Sequence, residues 1–107
     1  MRAPDGGDAL VLHYANGPGF ALVSVDGLPA PRVLARFEDE VFSSRGGTQP
    51  GQMRGTPALI ATAYGGGEVV LFSPNPTLEP ARPELLVRAL ESTAARRPVG
   101  SLSELAR

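Results

Sequence analysis

The chain has 107 residues, with ten basic groups that are all arginine, eleven acidic groups, one histidine and no cysteine. That length sets a single small domain with a modest core, burying about 65% of its unfolded surface. A net charge of −1 with a pI near 5.7 leaves no basic footprint for nucleic acid or an anionic membrane, and the missing thiols exclude disulfides, a cysteine nucleophile and cysteine-based metal sites.

The first eight residues contain no apolar core of a signal peptide, and the longest apolar run of about five residues is too short to span a bilayer. These features predict a cytoplasmic protein. Gly and Pro supply 24 of the 107 residues, near the level of disordered chains, but an apolar content of 42% argues for a folded core. Arginine without lysine, beside abundant Ala, Gly and Pro, fits the codon bias of a GC-rich genome.

In chain order, Ala9-Leu10-Val11-Leu12-His13-Tyr14 is an apolar run that predicts a strand, closed by the turn cluster Asn16-Gly17-Pro18-Gly19. Phe20 to Val25 predicts a second strand and Arg32 to Phe37 a third, with Val33, Ala35 and Phe37 on one face and Arg32, Leu34 and Arg36 on the other. Residues 43–56 carry no periodicity and predict a mobile loop. Pro57 to Tyr64 and Glu68 to Phe72, separated by Gly65-Gly66-Gly67, predict a β-hairpin. No helix follows those glycines, so they do not form a phosphate cradle.

Pro83 to Arg97 predicts an amphipathic helix with Leu86, Ala89, Leu90 and Thr93 on one stripe, flanked by Leu85 and Ala94, and a Glu84–Arg88 pair on the polar side. Pro83 suits the first turn, and Pro98 with Gly100 is expected to end the helix. Ser101 and Glu104 have capping-box spacing for a last, fraying helical turn. No internal repeat or second domain is visible.

The chemistry available is sparse. His13 is the only imidazole, so neither a histidine-pair metal site nor an ordinary Ser-His-Asp triad forms without it, and it reads as a hydrogen-bonded residue on a half-buried strand. Glu38-Asp39-Glu40 are consecutive and diverge, which suits a solvated bend better than an acid–base pair. No metal and no cofactor are predicted.

One stretch carries a family resemblance. Strand, Tyr64-Gly65-Gly66-Gly67, strand, Ser73-Pro74-Asn75-Pro76-Thr77 and an amphipathic helix resemble the C-terminal portion of class I glutamine amidotransferase-like domains, in particular the biotin-protein ligase N-terminal-like branch. Tyr14-Ala15-Asn16-Gly17-Pro18 and Arg36-Phe37-Glu38 resemble two segments found upstream of that hairpin. The resemblance spans residues 9–97, with 1–8 and 98–107 as flexible ends. It implies an α/β fold, namely the C-terminal part of a flavodoxin-like sheet with mixed strands, a C-terminal hairpin and one helix.

In the active family, a cysteine on a strand-to-helix elbow is the nucleophile, and a His-Pro-Glu segment completes the triad. Here Asn75 stands at the histidine position and Thr77 at the glutamate position, and the elbow is missing from this chain. A primary amide does not accept and return a proton near neutral pH. The resemblance therefore implies a non-catalytic remnant with structural or ligand-binding use, and a pocket lined by Asn16, Gly17 and Ser73. Two further readings stand beside it. One is half of a split hydrolase whose cysteine lies on another chain. The other is a small interaction module that uses an exposed sheet edge. Expected partners are accordingly an upstream half-domain, or a second copy meeting that edge.

Overall fold

The computed structural model describes residues 1–14, 18–40 and 52–106. Five elements follow in order: strand β1 (Arg32–Arg36), strand β2 (Pro57–Tyr64), strand β3 (Gly67–Phe72), helix α1 (Pro83–Ala94) and helix α2 (Leu102–Leu105). The strands form one antiparallel sheet in the order β1-β2-β3. The architecture is thus a small α/β domain, and the mixed pairing expected from the sequence is replaced by antiparallel pairing throughout the described sheet.

The hairpin is the best-defined part. Tyr64 pairs with Gly67, so the turn is two residues, Gly65-Gly66, rather than three. Gly65 has φ of 57°. Positive φ at the first central position suits a type II′ turn, whose twist matches the flanking strands. Alternation along β2 then sends Leu59 and Ala61 to one face, opposite Phe72 and Val70. Those four residues, with Leu34, Leu85, Ala89, Val99, Leu102 and Leu105, make the main hydrophobic cluster.

The clean alternation predicted for β1 is interrupted. Val33 lies opposite Ile60 and Ala35 opposite Leu59, which leaves Leu34 as an extra residue. This bulge re-aims the backbone so that Leu34 and Ala35 are both buried. Phe37 lies beyond the strand and joins Met53 and Ala58 in a second cluster. Residues 52–56, expected as part of a mobile loop, are tied in: Phe37 N–H donates to the Thr56 carbonyl at 3.0 Å and Gly55 N–H to the Phe37 carbonyl at 2.9 Å.

Neither expected N-terminal strand joins the sheet. The free side of β1 is taken by Arg2, which exchanges main-chain bonds of 3.0 and 2.9 Å with Arg36. His13 makes a single bridge to Asn75. Residues 21–25 are exposed and make no ladder. On β1, the chain start pairs at Arg36 in place of either run.

Helix α1 stops at Ala94, short of the expected Arg97. Arg97 N–H donates to the Ser92 carbonyl at 2.9 Å and Arg96 N–H to that of Thr93 at 3.1 Å. These bonds are a Schellman arrangement, with Arg96 in the left-handed region at φ 55°. The buried stripe is Leu85 and Ala89, while Leu90 is 59% exposed. The expected Glu84–Arg88 pair is not made: Glu84 bonds Arg82, which lowers its pKa, and Arg88 donates to the Leu105 carbonyl at 3.0 Å.

The segment after α1 is not a loose end. Val99, Leu102 and Leu105 are buried in the main cluster. Burying three aliphatic side chains contributes roughly 5–9 kcal/mol of transfer free energy before ordering costs, enough to hold the segment down. Glu104 accepts from Gly100 N–H at 3.1 Å, one residue before the N-cap, and Ser101 makes no side-chain cap, so the expected capping box is not formed. Residues 1–3 are likewise engaged, since Met1 and Ala3 pack against the cluster. Among the described residues no helix is long and apolar enough to cross a membrane.

One ion pair joins these parts. Glu68 on β3 accepts from Arg32 on β1, reaching across β2 over the small side chains of Ala61 and Ala63. Arg32 Nε also donates to the Val99 carbonyl at 3.1 Å, and Val99 N–H to Glu68 at 3.3 Å. The Glu68 side chain is only 3% exposed. Arg32→Ala is expected to cost about 3–5 kcal/mol, because it strands a buried carboxylate. Arg96→Gly relieves a left-handed side chain and is expected to add about 1 kcal/mol. Urea denaturation followed by circular dichroism checks both; an unchanged midpoint in either variant contradicts its assignment.

Candidate functional site

The segment singled out by the sequence, Ser73 to Thr77, leaves β3 as an irregular turn. Proline at 74 and 76 removes two backbone donors and ends the ladder, while side chains and a distant main-chain segment complete the bonding. Asn75 Oδ1 accepts from Thr77 N–H at 2.9 Å and from the Thr77 hydroxyl at 2.7 Å. Asn75 and Thr77 are therefore bonded to each other in an Asx turn.

The turn is anchored from both sides. Asn75 N–H donates to the His13 carbonyl at 2.8 Å. The buried Ser73 hydroxyl donates to the Pro18 carbonyl at 2.6 Å. His13 Nδ1 lies 3.1 Å from the Glu79 carbonyl, so it is the donor in that contact. The sole imidazole of the chain thus flanks the turn by its main chain, while its ring nitrogen is turned to a backbone oxygen. Position alone does not make it a base here. Asn16 and Gly17 lie outside the described residues, so of the expected pocket only Ser73 is placed.

The three segments that carry the resemblance meet at one place. Tyr14, Phe37, Glu38 and Pro74 line a common cavity of about 150 Å³. Tyr14 and Phe37 form an edge-to-face pair with ring centroids 5.7 Å apart. On the same cavity, Arg2 bonds the Glu38 carboxylate and holds it below the usual carboxylate range. This pairing is present at neutral pH and is lost as acid protonates Glu38. The carboxylate is exposed and already paired, which does not suit a general acid working at neutral pH.

A larger cavity of about 490 Å³ lies elsewhere, between the chain start and α2, with Asp5, Asp8, Arg82, Ser101 and Ser103 among its walls. Arg82 is engaged by Glu84, and the two serine hydroxyls lie 3.0 Å apart. It holds neither Asn75 nor Thr77. Among the described residues, no group of three or more His, Cys, Asp or Glu side chains is arranged to hold a metal ion.

Sequence reasoning missed the ties of His13 and Pro18 to this turn. An Asn-Pro-Thr string signals a local Asx turn, but nothing in it identifies which distant main chain will dock there. No family model matches the chain, and no curated protein or solved structure matches it.

Asn75→Ala removes the acceptor of both Thr77 bonds and is expected to cost about 1 kcal/mol. Asn75→Asp keeps that acceptor and is expected to cost less. Chemical denaturation of the two variants side by side makes the comparison, and equal losses would rule out the acceptor role.

Proposed function

We propose that the chain is the non-catalytic C-terminal portion of a class I glutamine amidotransferase-like domain of the biotin-protein ligase N-terminal-like branch. It serves a structural role in the cytoplasm as the late strands and helix of a flavodoxin-like unit. The observation that carries the reading is the closed Asn75–Thr77 turn. In a working triad those two positions hold a proton acceptor and the carboxylate that orients it. Here an amide oxygen satisfies a hydroxyl and a backbone N–H, and no proton can be relayed along that path near neutral pH.

The convergence of Tyr14, Phe37 and Pro74 supports the family part of the reading, because separate resembling segments are brought into contact. A chain without cysteine has no thiolate to attack the amide carbon of glutamine. The purified chain is therefore expected to release no glutamate from glutamine above the buffer blank. Asn75→His combined with Thr77→Glu is expected to remain inactive, since it supplies a base without a nucleophile. A coupled glutamate assay makes the test, and turnover by the unmodified chain overturns the proposal.

A further inference from the structure

Two aspartates among the described residues precede a glycine, Asp5 before Gly6 and Asp26 before Gly27. Both pairs sit in β-turns, but at different positions. The Gly6 N–H donates to the Ala3 carbonyl at 3.1 Å, so Asp5 is the third residue of its turn. The Leu28 N–H donates to the Val25 carbonyl at 3.1 Å, so Asp26 is the second residue of its turn. Gly27 follows at φ 83°, the left-handed value that makes this turn type II.

The position decides what the peptide unit after each aspartate does. After Asp5 it carries the turn's own hydrogen bond, and the flanking chain is held: Ala3 packs against the main cluster and Arg2 bonds the Gly7 carbonyl. After Asp26 it is the central peptide unit of the turn, and among the described residues the Gly27 N–H donates to no main-chain carbonyl. That unit turns over when a type II turn passes to type I, while the ends of the turn keep their places. Asp26 and Gly27 are exposed, and the space where a side chain of residue 27 would start holds no atom within 4 Å.

We propose that Asp26 is a site of spontaneous isomerisation to isoaspartate. The Gly27 amide nitrogen attacks the carboxyl carbon of the Asp26 side chain. A nitrogen–carbon bond forms, and the amide hydrogen leaves with the hydroxyl of the protonated carboxyl group as water, which gives a cyclic succinimide. Water then adds back at either carbonyl carbon. Addition at the side-chain carbon restores aspartate. Addition at the main-chain carbon breaks its bond to the Gly27 nitrogen, so the chain runs through the side-chain methylene and a new α-carboxylate is left. No oxidant or cofactor enters, and the mass is unchanged. Glycine suits the attacking position because it has no Cβ to shield the nitrogen or to restrict the turning of the peptide unit. Residues 21–25 belong to no ladder, so the lengthened backbone breaks no strand pairing. The inference stands apart from the family reading.

Peptide mapping of the purified chain after incubation at neutral pH tests it. Chymotrypsin cuts after Tyr14 and Phe20, which places Asp5, Asn16 and Asp26 on separate peptides. Electron-transfer fragmentation distinguishes isoaspartate from aspartate in each. In the folded chain, isoaspartate is expected to accumulate roughly fivefold faster at Asp26 than at Asp5, the factor that one hydrogen bond supplies. In urea, where both turns are lost, the two rates are expected to converge. Equal rates in the folded chain overturn the proposal, as does faster reaction at Asp5. So does a preference for Asp26 that persists in urea, since the bias then comes from neighbouring residues and not from the turns.

Discussion

A carboxylate taken out of water must find its compensation nearby, and the position of Glu68 organises much of this molecule. It stands on β3, its cation stands on β1, and the main chain of Val99 bonds both, its N–H donating to Glu68 Oε1 and its carbonyl accepting from Arg32. The pair spans the width of the sheet. That is possible because β2 presents alanine at 61 and 63 along the path. Larger side chains there would block the Arg32 stem and leave Glu68 without its partner. The interaction also pins the chain after α1 to the sheet, which then delivers Val99, Leu102 and Leu105 to the core. A buried pair of this kind is weak evidence for extra stability but strong evidence for a defined arrangement, since losing one partner exposes the full desolvation cost of the other.

The second organising fact is competition for edges. A three-stranded sheet has two. On β1 the chain's own first residues occupy one, through the mutual bonds of Arg2 and Arg36. The other lies on β3. The apolar stretches before β1 stay out of the sheet, while the six residues Gly67–Phe72 after the glycine turn lie in it. Apolar content alone does not separate them: β3 is brought to its partner by a two-residue turn from β2, and the runs before β1 have no such local link to a strand.

The turn after β3 is fixed by segments remote in the sequence. Ser73 and the backbone of Asn75 tether it to Pro18 and His13. The side chains of Asn75 and Thr77 are spent on one another. The Asn75 amide oxygen is thereby used within the turn. The nearby aromatic pair of Tyr14 and Phe37 adds shape and apolar area, and Glu38 on the same cavity is paired with Arg2.

By itself the sequence determined the local structure. The glycine turn between two β-branched runs specified the hairpin, and apolar spacing with an N-terminal proline specified α1. The lack of any cysteine set the limits of the chemistry. The Asx turn at Asn75 is local as well, since its bonds join residues two apart, but it was seen only in the structure. Tertiary structure decided everything that depends on a distant partner: which edge of β1 was filled, the bulge at Leu34, the burial of Glu68 against Arg32, and the burial of the C-terminal segment. It also decided the meeting of Tyr14, Phe37 and Pro74. The physical reason is the same in each case. Backbone torsions and helical spacing act over a few residues and are written in them, whereas an open edge, a buried charge or a shared cavity exists only once remote segments have met.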